Sequence, residues 1–547
     1  QVYPERAPAA VFSDRCYTYF DNPEIMLPRA LRFTFDAQTG DVRQHNALAH
    51  DAEKARLIAA REAHATCVRT QHGMGDIYCG TLLEKLLCLI AVKCTALDPD
   101  GLGLEMRGNR PGWNDALNGL PGLIGSALNE TAELLRLASA TALLVKTAGN
   151  NAVFAELAEL LRGIRAALAQ TQEPLARWHA LNAVREHYLA VTKLGFSGET
   201  VSMTSEEVGA VLESITATMQ RAVQRAQDAR SGLYAGYFYY RVTAHENLRQ
   251  ADGTPVLREG RQCVRPLAFE RVALPAYLEP QVRVMQTMND AAASRALHRA
   301  VQRSPLYDRA LKMYVLNASL ARASKDIGRA GVFPPGWLEN QSVWLHMEYK
   351  YLLALLQAGL HQEFFAAGTT ALVPFQPPQR YGRSPLEHSS FIASSAHPDP
   401  RIHGAGFYAR LSGATIEFIS MWLLMSGAAR MFSVDGAGAL QCRLQPILPA
   451  AWFTRKATPR GLQREGSTAV VTIPKNACAF VVLGGTLVVY HNPLRRDTFG
   501  PRGVTPLRYT LADRTGAVHE ITGGTIGAAA AEQMRAGAFT RIDVHLG

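Results

Sequence analysis

Several absences narrow this sequence before any motif is read. Its eight cysteines, at positions 16, 67, 79, 88, 94, 263, 442 and 478, include no CxxC pair. Most lie in apolar stretches such as Leu83 to Val92, which points to buried thiols in a reducing compartment and away from disulfides or structural zinc. No apolar run approaches the ~20 residues that span a bilayer and no signal-peptide pattern opens the chain, so a soluble, cytoplasmic protein with no membrane partner is expected. No run of five basic residues occurs. The net charge of +10 is scattered, which disfavours nucleic acid as a partner and leaves a small anion such as phosphate as the better match. No His/Asp cluster has ligand spacing, so no metal is expected. Low-complexity tracts and fixed repeats of roughly 30 to 45 residues are also lacking, against disorder and against the common solenoids.

What is present is a chain of 547 residues, 48% of them hydrophobic, long enough for two or more domains or for one helical barrel with appendages. It begins at Gln1 without a methionine, so a processed product or a fragment is expected. Residues 1–45 look extended, with short β segments around Asp36 to Gly40. From Asp51 the apolar period becomes helical, and Thr81 to Thr95 is a nearly all-apolar helix. Ala/Leu-rich helices are predicted at 129–147, 151–170, 173–194 and 204–229, with Pro174 near a helix start. Residues 230–282, aromatic and turn-rich, read as an insertion over the barrel. Helices are predicted again at 284–303, 305–322, 341–358, 361–367 and 411–427, and beyond Pro449 the β runs TAVVTIP, CAFVVLGGTLVVYHNP and RYTLADRTGAVHEI predict a small antiparallel sheet or sandwich.

Three loops combine polar side chains with Gly or Pro just before an apolar helix. Arg107 to Arg136 sets Trp113, Asn114, Asp115 and Asn118 on irregular backbone, the way a sugar site is built from an aromatic ring, amides and a carboxylate. Pro334 to His346 supplies Glu339, Asn340, Gln341 and His346; capping of the following helix is the competing reading for Glu339 and Asn340. Glu387 to Glu417 supplies Glu387, His388, His403, Arg410, Ser412 and Glu417, and its glycines at 404, 406 and 413 resemble an anion-binding nest. The GxG there follows no strand, which disfavours a dinucleotide fold, and TGGTIGAAAA near the C-terminus lacks the Lys-Ser/Thr of a P-loop.

Taken in order, the loops resemble the inverting glycoside phosphorylases of glycoside hydrolase family 94. Trp113, Asn114, Asp115 and Asn118 match that family's W-N-D-G-M-N, while Glu339, Asn340 and His346 match its E-N-G-G-x-x-x-H. Leu411, Ser412 and Gly413 match L-T-G-T. The wording PGWNDALNGLPGLIGS and LEHSSFIASS looks closer to the β-1,2- or β-1,3-glucan oligosaccharide phosphorylases than to cellobiose phosphorylase, and the resemblance covers most of 50–450 and the trailing β segment. It implies Asp115 as general acid, with His346, Ser412 and Gly413 holding phosphate. It also implies sugar contacts from Trp113 and Asn114, with Asn118, Glu339, Asn340, Glu387 and His388 as further substrate-binding candidates. Arg410 joins the phosphate set on its own chemistry, because a guanidinium matches two phosphate oxygens. Inorganic phosphate would be the co-substrate and no cofactor is implied; one acid protonates the leaving oxygen and phosphate attacks the opposite face. Departures are Ala116 and Leu117 for Gly-Met, Ser412 for Thr, and Glu417 near a position that is usually aromatic.

The expectation is therefore a mainly α, (α/α)6-barrel-like toroid over 46–450, incomplete at its N-terminal side, preceded by a β lead-in at 1–45 and followed by an antiparallel β domain at 451–547. The expected activity is reversible phosphorolysis of β-linked glucan oligosaccharides to α-glucose 1-phosphate. Two alternatives stand beside it: an inverting β-glucan hydrolase with Glu339, Glu387 or Glu417 as base, and a non-catalytic carbohydrate-binding or scaffold subunit. The resemblance further implies a homodimer, or a second chain supplying the missing N-terminal part.

Overall fold

The structure, a computed structural model, describes residues 2–147, 149–409, 413–464 and 467–547. It is 37% helical and 25% strand, the strands falling in many small sheets, so the chain is mixed and the expected all-helical toroid is not its architecture. The chain divides into two compact units, one of residues 1–9, 361–366 and 413–547, the other of residues 10–360 and 367–412.

In the larger unit the strongest periodic runs are helical as read. They are α1 (Leu82–Cys94), α2 (Leu128–Val145), α3 (Ala155–Gln170), α4 (Pro174–Val191) and α5 (Ser205–Arg225). Thr81 Oγ1 accepts from Glu84 N at 3.2 Å, and Thr204 Oγ1 from Glu207 N at 3.1 Å, so the first turns of α1 and α5 are satisfied by N-cap hydroxyls. Glu173 caps α4 and Pro174 occupies its first position, where no donor is needed. Further on come α6 (Leu278–Met285), α7 (Ala291–Arg303) and α8 (Leu345–Gln357).

Three stretches predicted as helix are not, and each has a local cause. Residues 151–154 pair as a strand with Thr200–Met203. The 284–303 run is broken because Asp290 accepts from Ala292 N at 2.8 Å, starting α7 afresh. Over 305–322 no helix forms among the described residues: Tyr307–Asp308 pairs with Met313–Tyr314 in a tight hairpin. Asp308 Oδ1 takes the amides of Ala310 and Leu311, each at 3.0 Å, that a helix would have spent on backbone carbonyls.

The stretch 230–282 is less an insertion than a foundation. Near the N-terminus β1 (Phe33–Asp36) pairs with β2 (Asp41–Gln44), and in the 230–282 stretch strands β5 (Tyr237–Asn247) and β6 (Val264–Ala273) form a long antiparallel hairpin. Its inner strand pairs with β4 (Gly125–Ala127), which pairs with β3 (Leu104–Glu105), giving the order β6-β5-β4-β3. The two short strands are the stems of the Trp113/Asp115 loop. A second small sheet, β7 (Val343–Trp344), β8 (Ser389–Ile392) and β9 (Gly406–Ala409), ties the other two polar loops together through Val343↔Ile392 and Trp344↔Phe391.

The smaller unit holds α9 (Gly413–Met425), a hairpin of Thr458–Arg464 with Ser467–Ile473, and a five-stranded sheet. The sheet runs β10 (Ala477–Val482), β11 (Thr486–His491), β14 (Phe539–Leu546), β12 (Pro506–Asp513), β13 (Val518–Thr522). It is mixed and not antiparallel as expected, because β11 and β14 are parallel neighbours. The helix Ala528–Arg535 provides the crossover that brings β14 back beside β11, a connection parallel pairing demands. Five consecutive residues of β11 are buried, as a strand covered on both faces requires.

All eight cysteines are free thiols; Cys88, Cys94, Cys263 and Cys442 are buried, whereas Cys16 is exposed. Among the described residues no helix is long and apolar enough to cross a membrane.

Candidate functional site

The loop between β3 and β4 is anchored at its base and again at its tip. Near the base, Gln44 accepts from Gly108 N at 3.1 Å and donates to Met106 O at 3.4 Å. At the tip, Gly119 N donates to Ile327 O at 3.1 Å and Asn118 Oδ1 accepts from Arg329 N at 3.2 Å. This contact needs glycine on both sides. A Cβ on Gly119 would lie 2.0 Å from Asp326 O, and Gly328, at φ +122°, leaves only 2.5 Å between its own Cβ position and Asn118 Oδ1. Ala116 and Leu117, the residues that depart from Gly-Met, are buried and hold the turn down.

The docking delivers Asp115 to Arg329: Nη2 lies 2.6 Å from Oδ2, with both side chains about half exposed. Glu339 sits beside them, only 8% exposed, in the turn where Trp337 and Asn340 exchange backbone hydrogen bonds. Burial pushes the Glu339 carboxyl above its ordinary range, the charge of Asp115 adds to the rise, and Arg329 opposes it. Asp115, Asn118, Arg329 and Glu339 therefore form one cluster.

Trp113 and Asn114 face elsewhere. They line a cavity of about 430 Å³ whose wall also includes Tyr237 and Glu279; Asp115 is not part of it. Glu279 Oε2 accepts from Trp113 Nε1 at 2.5 Å, Tyr237 Oη at 2.6 Å and Asn129 Nδ2 at 2.8 Å, so one buried carboxylate orients the indole and the amide together. Asn114 is 4% exposed, yet among the described residues neither its Oδ1 nor its Nδ2 has a partner. Leaving such a group unsatisfied costs about 1–3 kcal/mol, a penalty that a polar ligand reaching it would relieve.

The remaining candidates are less convergent. Neither Glu339 nor Asn340 caps α8, whose N-cap is Trp344 without a side-chain bond; Asn340 instead donates to Phe333 O at 2.7 Å. His346 is half-buried in the first turn of α8. The His388 ring meets Tyr349 edge-on at 5.3 Å, and burial lowers its basicity. Glu387 is held by Arg383 at 2.6 Å. Gly413 opens α9 in the smaller unit, while Arg410 and Ser412 lie outside the described residues.

Sequence reasoning passed over Arg329 and Glu279. Arg329 follows a glycine in a turn-rich stretch, a weak signal; Glu279 lies in the first turn of a short helix and carries none that reading alone would catch. Among the described residues no group of three or more His, Cys, Asp or Glu is placed to hold a metal ion. No family model matches the chain, and no curated protein matches it.

Proposed function

We propose that the chain carries the acid side of an inverting glycoside phosphorylase acting on β-linked glucan oligosaccharides. The observation that supports this reading is the convergence of Asp115, Arg329 and Glu339 at the tip of a loop whose preceding residues, Trp113 and Asn114, open onto a cavity. Asp115 protonates the glycosidic oxygen as the bond to the anomeric carbon breaks. Phosphate attacks that carbon from the opposite face, giving α-glucose 1-phosphate and a chain shorter by one unit. His346 is the phosphate contact that the resemblance assigns within this unit, with Ser412 and Gly413 assigned on sequence wording alone and Arg410 on the match of a guanidinium to two phosphate oxygens. Glu339 and Asn340 would bear on the sugar.

The proximity of Asp115 and Glu339 supports a second reading. Two carboxylates at one site also suit an inverting hydrolase, Glu339 acting as base on water. One experiment separates the two: product release from β-1,2-, β-1,3- and β-1,4-glucan oligosaccharides, with and without inorganic phosphate, for wild type and Asp115→Asn. Phosphate-dependent glucose 1-phosphate that disappears in the variant supports the phosphorylase. Reducing sugar without phosphate supports the hydrolase. Absence of any product from a folded chain that still binds oligosaccharide leaves a binding subunit.

A further inference from the structure

The cavity behind Trp113 has a charge pattern that neutral sugar alone does not explain. Each carboxylate on its wall is already engaged. Glu279 takes three hydrogen bonds and lies 3.5 Å from Arg283; Glu130 pairs with Lys93 at 2.5 Å; Glu105 lies 3.9 Å from both Arg29 and Arg32 and accepts from Trp178 Nε1. Of the arginines on the wall, Arg110 is held by Glu24 at 2.8 Å.

Two cations are left over. Arg107 and Arg185 both line the cavity, and among the described residues neither guanidinium has a hydrogen bond or an ion pair. Arg185 is only 5% exposed, so water does little to solvate it. Burial and the neighbouring Arg32 push Arg185 down to about 10 even with Glu105 nearby, the direction that a bound anion reverses. Beside these cations stands Asn114, nine-tenths buried with both amide atoms unpartnered, together with the unpartnered Oδ1 of Asn129 and the partly exposed face of Trp113. The cavity volume, about 430 Å³, is that of a small-molecule site.

We propose that this cavity binds the phosphate monoester of a sugar. Arg107 and Arg185 take the phosphate through charge-assisted hydrogen bonds, and Asn114 and Asn129 take hydroxyls of a ring that lies against Trp113. The site shares Trp113 and Asn114 with the sugar contacts proposed above but not Asp115, and binding there does not depend on turnover.

Titration calorimetry on the full chain tests it, with glucose, inorganic phosphate, glucose 1-phosphate and glucose 6-phosphate as probes. A sugar phosphate binds more tightly than either half alone. Arg107→Gln and Arg185→Gln each weaken it by about tenfold or more, as loss of a hydrogen bond to a charged group implies, and the effect is read on glucose 6-phosphate, which the proposed reaction neither makes nor consumes. If Arg185→Gln fails to fold, the more exposed Arg107 carries the test. Three results overturn the proposal: no sugar phosphate binds; inorganic phosphate binds as well as its esters; or binding survives Arg107→Gln and is lost in His346→Gln, which would place the ester elsewhere.

Discussion

Arg329 reaches across from its own turn to Asp115, Nη2 to Oδ2 at 2.6 Å, and the backbone amide of the same arginine is held by Asn118. One residue is thus fastened to both ends of the Asp115 turn. The pair is half exposed, so its ion pair contributes at most about 1 kcal/mol to stability. The Arg329 charge also opposes the rise that burial and Asp115 impose on the Glu339 carboxyl. Under the proposed phosphorolysis, Arg329→Gln is expected to leave the melting temperature nearly unchanged while lowering turnover by on the order of a hundredfold, the scale for removing one preorganised charge contact. Arg329→Lys should recover part of the loss. Glucose 1-phosphate release and a thermal melt on the same samples check this; full activity in Arg329→Gln would remove the residue from the site.

Gly119 makes that docking geometrically feasible. A methyl group placed there meets Asp326 O at 2.0 Å, so the loop has to withdraw from 325–331 and carry Asp115 away from Arg329. Gly119→Ala is expected to destabilise by about 1–3 kcal/mol, as overpacking does, and to lose more activity than Asn118→Ala, which removes one hydrogen bond and no space. Urea unfolding and initial rates measured together decide it. A Gly119→Ala protein with wild-type rates would show that the docking is incidental.

How far the sequence carried can be judged residue by residue. Helices α1, α4 and α5 were legible because an apolar face and a nearby cap coincide, at Thr81, Glu173 and Thr204, whereas α2 has no side-chain cap and was legible from its apolar face alone. The stretch around Leu306 to Leu320 misled because its apolar residues are dense enough to mimic a buried helix, while one side chain, Asp308, redirects the backbone into a hairpin. The loop 107–124 was legible as irregular backbone from its glycines and prolines. That its stems are strands, paired with a hairpin starting at Tyr237, was not, because sheet pairing between distant segments leaves no local period. The same holds for Arg329 and Glu279: their significance lies in what reaches them from elsewhere in the chain, Asp115 in one case and Trp113 in the other.

Glu279 offers a test of the cavity wall that is separate from the acid cluster. Its Oε2 satisfies Trp113, Asn129 and Tyr237 at once, in a side chain that is 2% exposed. Replacing it with Gln keeps the shape, removes the charge and turns one oxygen into a donor facing donors. The expected loss is about 3–5 kcal/mol, the range for breaking a buried charged arrangement from one side. Because Trp113 loses its anchor, its fluorescence should become more accessible to a neutral quencher even under conditions where the fold persists. Unchanged quenching would mean that the loop backbone alone holds the indole.

Glu348 predicts a pH dependence whose sign is fixed by burial. It lies in α8 with no solvent exposure; Oε1 accepts from Tyr314 N at 3.0 Å and Oε2 has no partner among the described residues. Burial raises its carboxyl to about 8, the Tyr314 amide opposes the rise, and the charge of Asp308 adds to it. In the unfolded chain the same group titrates near 4.5. Between these values the folded protein holds a proton that the unfolded chain has released, so stability falls as pH rises through that window, by about 1.4 kcal/mol per pH unit at most. Below the window both states are protonated and the group is neutral to stability; above it the full cost is present. Gln in its place imitates the protonated form and has nothing to titrate. Glu348→Gln should therefore match wild type near pH 4.5 in urea unfolding and become progressively the more stable of the two toward pH 8. Parallel profiles across that range would show that Glu348 is ionised in the fold and that a cation or water reaches Oε2.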